Sequence, residues 1–304
     1  MRVFIEALKA FVIGLVEGIT EWLPISSTGH MILVDEFLKL DVSEQFLAMF
    51  LVVIQIGAIL AVIILYFRKL NPFALSKTRE ERKATWRLWG MVVIGCIPAA
   101  IVGILLDDWA EEHLFNATVV AAMLILYGIV FIVLEHRNRR LRASLESVVR
   151  GRHARDAGSS ADDLMFRITS VDDIGPLDAI KIGLFQCLAV VPGTSRSGAT
   201  IIGGMLSGCS RVASAEFTFF LAIPVMLGWG LVKALKFVMA ALTLSTTEIV
   251  VLVVGVVTAF VTSVIAIKFL MSYIKRNDFA AFGWYRIVVG AIVLAYFAVK
   301  GTLF

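Results

Sequence analysis

Charge is scarce in this 304-residue sequence. Asp, Glu, Lys and Arg make up 17% of it, against about 25% in soluble globular proteins. A chain with 59% hydrophobic residues and a mean hydropathy of +0.90 has too little polar surface to cover a water-soluble globule. The same shortage excludes disorder and nucleic-acid binding. Cysteine is nearly absent. Cys96, Cys187 and Cys209 lie in apolar stretches at unrelated spacings, so they make no disulfide scaffold and no metal motif, and read as small buried hydrophobes. No cleavable signal peptide is expected, because the apolar N-terminus runs straight into a Glu-x-x-x-Glu stretch. What is abundant is long uncharged runs, the mark of a polytopic membrane protein.

A bilayer core about 30 Å thick needs about 20 apolar residues per helix. Six stretches qualify: Phe46–Phe67, Leu88–Leu106, Ala117–Leu134, Ala215–Leu235, Ile249–Ile267 and Phe279–Val299, the last carrying only Arg286. Two others, roughly Val3–Val34 and Leu177–Ser210, are apolar but broken by Pro, Gly, Ser and charge, so they are not simple spans. Seven basic residues in Arg68–Arg87 and eight arginines in His136–Asp178 place those connections in the cytoplasm. The acidic connection Asp107–Asn116 is then outside, and Lys233 with Lys236 is the one dissenting signal. Trp86, Trp89, Trp109 and Trp284 fall at span ends, as interfacial aromatics do. On this layout each broken stretch enters and leaves by its own side, one from outside and one from the cytoplasm, with the two turns meeting near the midplane. Arg137–Arg167, with Gly158-Ser159-Ser160, reads as a partly disordered cytoplasmic loop that sets topology. Contact of that loop with anionic headgroups is a weaker alternative.

An internal repeat accompanies this layout. Ile13-Gly14-Leu15-Val16-Glu17 leads to Pro24 and Ser26-Ser27-Thr28-Gly29. Ile182-Gly183-Leu184-Phe185-Gln186 leads to Pro192 and Thr194-Ser195-Arg196-Ser197-Gly198. The predicted fold is an all-α integral membrane protein with six transmembrane helices and two re-entrant helix-loop-helix hairpins in an inverted repeat. Its parts are residues 1–135, a hydrophilic connection 136–176, and residues 177–304.

Three motifs bear chemistry. Glu17 and Glu21 share one helix face. Either they face water at an interface, or a cation holds them together, a divalent metal or Arg196, or one stays protonated and carries a proton. Ser26, Ser27, Thr28 and His30 combine turn chemistry with a base beside hydroxyl nucleophiles. The bland alternative for them is a loop that satisfies its own backbone. In Pro192–Thr200, small residues let backbone N–H groups face an anion, and Arg196 adds a fork that matches phosphate. Close helix packing explains the glycines there but gives no reason for an arginine. Together these parts describe a phosphoryl-transfer site at membrane depth, suited to a lipid phosphate.

Glu17–His30 and Pro192–Thr200 resemble the two signature motifs of the undecaprenyl-diphosphate phosphatases, the bacitracin-resistance enzymes of bacteria. The resemblance runs over nearly the whole chain, including Glu216-Phe217-Thr218-Phe219 and Lys268, although Arg137–Ser170 is longer than usual. It implies a bacterial inner-membrane enzyme with its site open to the outer face. Such an enzyme hydrolyses undecaprenyl diphosphate to the monophosphate and inorganic phosphate with Mg²⁺ or Ca²⁺, recycling the carrier for peptidoglycan synthesis and removing the target of bacitracin. The family's catalytic residues carry over as Glu17, Glu21, Ser26, Ser27, His30, Ser195, Arg196, Ser197 and Thr200.

The roles expected on that basis put Ser27 on the terminal phosphorus and let His30 take its proton or help release the phosphoenzyme. Arg196 holds the diphosphate with Thr194, Ser195, Ser197 and Thr200, with Ser26 and Thr28 beside them, and Glu17 and Glu21 hold the metal. A competing scheme has Glu21 activate water, with Ser27 only binding. The expected partners are the polyprenyl diphosphate and membrane lipid, with no nucleic acid and with a homodimer left open. A transporter or flippase of the carrier is the alternative from another class.

Overall fold

The computed structural model describes residues 1–152, 165–239 and 244–301. Its elements are α1 (Arg2–Thr20), α2 (Ser27–Phe37), α3 (Glu44–Leu65), α4 (Phe67–Leu70), α5 (Arg79–Leu114) and α6 (Ala117–Arg152), then α7 (Pro176–Cys187), α8 (Arg196–Leu206), α9 (Arg211–Met239), α10 (Thr246–Ile274) and α11 (Ala280–Lys300). No named strand is found among the described residues.

Six stretches are long and apolar enough to cross a membrane: Glu44–Leu65, Arg79–Leu106, Ala117–Glu146, Arg211–Val232, Thr246–Ile274 and Ala280–Lys300. They coincide with the six predicted spans, and the protein is a multi-pass membrane protein. Helix starts follow local chemistry. Ser43 caps α3, Asn116 caps α6, and Thr78–Glu81 and Ser245–Glu248 form reciprocal capping boxes for α5 and α10.

The connection Asp107–Asn116 is mostly helical, since α5 continues to Leu114. One sequence expectation about connections is corrected. Residues 137–152 are helical, because α6 runs on to Arg152 through Arg, Leu, Ala and Glu, all strong helix formers, with an Arg142–Glu146 pair one turn apart. Gly158-Ser159-Ser160 lies outside the described residues.

Between helices in lipid the hydrophobic effect supplies no drive, so close backbone approach through small residues replaces it. A Cβ on Gly14 would stand 2.5 Å from the Gly255 carbonyl, which lets α1 lie along α10. Gly183 presses in the same way on the Gly95 carbonyl, setting α7 against α5. Gly128 and Gly283 face each other's carbonyls where α6 crosses α11, each added Cβ falling 2.7 Å from the opposing oxygen. Helix α3 packs on α9 and α10, and α9 on α5. At one end, the buried Glu135 accepts from Arg211 at 2.9 and 2.6 Å and from the Phe279 amide at 3.1 Å, joining α6, α9 and the start of α11.

The two broken stretches are helix pairs, α1–α2 and α7–α8, interrupted at 21–26 and 188–195. Their turns meet inside the bundle. Ser197 Oγ donates to the Glu21 carbonyl at 3.1 Å, from one turn to the other.

Candidate active site

Pro24 and Pro192 cannot donate to a helix ladder, and each lies in the break between two short helices. Each break ends on a serine in a conformation that L residues rarely adopt, φ 72° at both Ser26 and Ser195. Each of these serines then caps the next helix, Ser26 Oγ accepting from Gly29 N at 3.4 Å and Ser195 Oγ from Gly198 N at 3.1 Å. Non-glycine residues held at positive φ cost on the order of 1–3 kcal/mol and gather at functional sites. Gly193, at φ 88°, passes so close to α6 that a Cβ would fall 2.5 Å from the Val120 carbonyl.

The first helical residue after each cap is chemically distinct, Ser27 in one turn and Arg196 in the other, and both bind one carboxylate. Ser27 Oγ donates to Glu21 Oε2 at 2.9 Å, and Arg196 Nη2 donates to Glu21 Oε1 at 3.0 Å. Arg196 Nη1 donates to the Thr218 carbonyl at 3.1 Å, its Cζ lies 6.0 Å from the Trp22 ring centroid, and its Nε has no protein partner. The ion pair is largely buried, with side-chain exposures of 12% for Arg196 and 10% for Glu21. One turn before Glu21, Glu17 is 2% exposed and its Oε1 is also without a partner.

A cavity of about 280 Å³ opens here. Its polar wall includes Glu21, Ser26, Ser27, Thr28, Ser195, Arg196 and Ser197, and its apolar wall includes Val102, Val225, Met226 and Trp229. Most of the expected site residues are therefore brought together on one cavity. Glu17, Thr194 and Thr200 are buried and do not line it. The Thr200 hydroxyl donates to the Arg196 carbonyl at 2.9 Å and accepts from Thr218 at 2.8 Å, which braces α8.

His30 also points elsewhere. Its Nδ1 is 2.8 Å from the Ser26 carbonyl, which can only accept, so Nδ1 carries the proton. Its Nε2 is 2.8 Å from Tyr285 Oη, and the two rings stack at 5.6 Å. The side chain that accepts from the Ser27 hydroxyl is Glu21.

Arg286 is missing from the residues expected at the site. Fully buried, it donates to five carbonyls: Pro24 at 3.1 Å, Gly193 at 2.9 Å, Thr194 at 3.0 Å, Met123 at 3.3 Å and Leu124 at 3.4 Å. It clasps both turns to α6. The signal was present as the lone charge in the last apolar span, but nothing local names its partners.

The profile described as Bacitracin resistance protein BacA matches residues 10–292. The chain belongs to the BacA family. It is 49% identical over 293 residues to a protein of Enterococcus faecalis (strain ATCC 700802 / V583) named undecaprenyl-diphosphatase, covering 96% of this chain and 98% of that one. It is 53% identical over 294 residues to one of the same name from Lachnoclostridium phytofermentans, covering 97% and 98%. A Streptococcus thermophilus protein of that name is 52% identical over 296 residues, covering 97% and 95%. The span matched to BacA contains both turns, every polar residue of the cavity wall, and Arg286.

Proposed function

We propose that this chain hydrolyses undecaprenyl diphosphate to undecaprenyl phosphate and inorganic phosphate, the activity named for its relatives, and so confers bacitracin resistance. The observation that carries this reading is the Glu21 carboxylate shared by Ser27 and Arg196 on the wall of a cavity with an apolar side. Ser27 Oγ attacks the terminal phosphorus while Glu21 takes its proton. The bond from that phosphorus to the bridging oxygen breaks, and its electron pair leaves with the prenyl monophosphate. Glu21 passes that proton to the departing monophosphate, and water then attacks the phosphoserine, giving a proton to Glu21 that returns to Ser27 Oγ as it leaves phosphorus. Arg196 turns from Glu21 to the phosphate oxygens, with Ser195 and Ser197 beside it, and meets the charge that develops there. His30 fixes the start of α2 through Ser26. The apolar wall takes the first isoprene units.

Glu17 and Glu21 are the residues to hold Mg²⁺ or Ca²⁺. The unpartnered buried oxygen of Glu17 fits a hard cation, and no cluster of three or more His, Cys, Asp or Glu is found among the described residues. Two carboxylates completed by water and phosphate is the set Mg²⁺ favours. When bound, the cation neutralises phosphate charge.

The two halves, 1–135 and 177–304 around the connection 136–176, are an inverted repeat of a re-entrant hairpin plus three spans. The pairings of α1 with α10 and α7 with α5 support this, as do the equal caps at Ser26 and Ser195. The protein sits in the bacterial inner membrane with the site opening outward, a reading that the basic connections support in so far as they favour the cytoplasmic side. Phosphate release from undecaprenyl diphosphate by detergent-purified protein tests the function. Metal-dependent release lost in Ser27→Ala and Arg196→Ala supports it, and no release from well-folded protein leaves the transporter reading.

A further inference from the structure

Among the described residues of the wall, Gln186 is the one whose whole side-chain amide is both buried and without a protein partner. In the last turn of α7 it is 3% exposed, it lines the same cavity as Arg196, and neither Nε2 nor Oε1 has a protein partner. A buried amide left so costs roughly 1–3 kcal/mol, so its upkeep calls for an occupant of the cavity that bonds it.

Its place in the fold says which occupant. Gln186 follows Gly183 by three residues, as Glu17 follows Gly14, and each glycine presses on a glycine carbonyl of a neighbouring helix. Two side chains of equal reach thus occupy matched positions, and each has an unpartnered buried oxygen. They differ in one property. The carboxylate of Glu17 can only accept or ligate a cation, whereas the amide of Gln186 donates and bears no charge that would repel an anion.

We propose that Gln186 is a substrate-binding residue whose Nε2 donates to a non-bridging oxygen of the diphosphate, on the same phosphoryl group that Arg196 holds. The assignment rests on the phosphatase reading above.

The test compares undecaprenyl diphosphate kinetics of wild type, Gln186→Leu and Gln186→Glu, with thermal melting of each. Loss of one hydrogen bond to a charged group lowers kcat/KM for Gln186→Leu about 10- to 100-fold, mostly through KM, at an unchanged or higher Tm. Gln186→Glu falls further at neutral pH and recovers as pH drops and its carboxyl regains a donor proton, a trend absent in wild type. That comparison is made within one preparation and stands even if the leucine variant folds poorly. Wild-type kinetics in Gln186→Leu, or a Gln186→Glu profile parallel to wild type, overturns the assignment and leaves the phosphatase reading intact. No phosphate release by wild type overturns both.

Discussion

Ser26 and Ser195 share one backbone conformation, φ 72° in each, although they are 169 positions apart and neither is glycine. Each accepts a hydrogen bond from the glycine three residues on. Serine is used because its hydroxyl serves the helix start, and the strain of positive φ is the cost. Replacing either with Gly relieves the strain and loses the cap, so thermal stability changes by less than about 1 kcal/mol. Alanine loses the cap and keeps the strain, and valine adds branching to it. Melting in detergent is expected to rank the variants Gly above Ala above Val, and a Val variant as stable as wild type refutes the strain.

Ser27→Ala and Glu21→Gln test the nucleophile and its base. A positioned base contributes about 10²- to 10⁴-fold, so Glu21→Gln is expected to lose at least about 100-fold in kcat. Ser27→Ala removes turnover, and acid quenching of wild type traps phosphoserine at position 27. Full turnover by Ser27→Ala refutes the nucleophile and favours direct attack by water.

Arg196 and Glu21 are coupled in stability as well as in chemistry. Leaving one partner of a buried pair alone costs about 3–5 kcal/mol, whereas removing both is milder. Arg196→Ala is therefore expected to melt lower than the double variant Glu21→Ala/Arg196→Ala. Additive losses in this cycle refute the coupling.

Arg286→Met is expected to lower stability by at least about 3 kcal/mol, since it strips donors from five buried carbonyls. Arg286→Lys rescues little, because an ammonium lacks the flat fork that reaches acceptors on two turns and a helix. Limited proteolysis and melting of the two variants check this, and a wild-type melt for Arg286→Met refutes the clasp.

Chelation with EDTA is expected to stop phosphate release, and Mg²⁺ or Ca²⁺ to restore it. Glu17→Gln is expected to raise the metal concentration giving half-maximal rate by about 10-fold or more. Equal metal titrations in the two proteins remove Glu17 from the cation site.

The six spans were legible because a helix in lipid must be a long apolar run, whatever its neighbours are. The two turns were legible because proline, serine and glycine interrupt such runs in only a few ways. Arg196 stood out for the same reason, a charge where none is tolerated idly. The partners of His30 were not legible. Tyr285 is 255 positions away, and only the packing of α11 against α2 brings it to the imidazole. The helical extension of α6 is hidden by its charge, since a basic run suits a solvated loop and a helix equally, while its Arg, Leu and Ala residues favour helix. Gln186 was noticed as a letter in the repeat, but its lack of partners is a property of the packed structure.

The resting grip of Arg196 on Glu21 shapes how the protein meets salt. When a phosphate takes the guanidinium, one contact between opposite charges replaces another in the same half-sealed place, and the number of such contacts is conserved. Ionic strength acts on the difference between two paired states, and that difference is small. Substrate affinity at this site is therefore expected to be nearly flat with added NaCl, unlike that of an enzyme that gathers phosphate with lysines exposed to water.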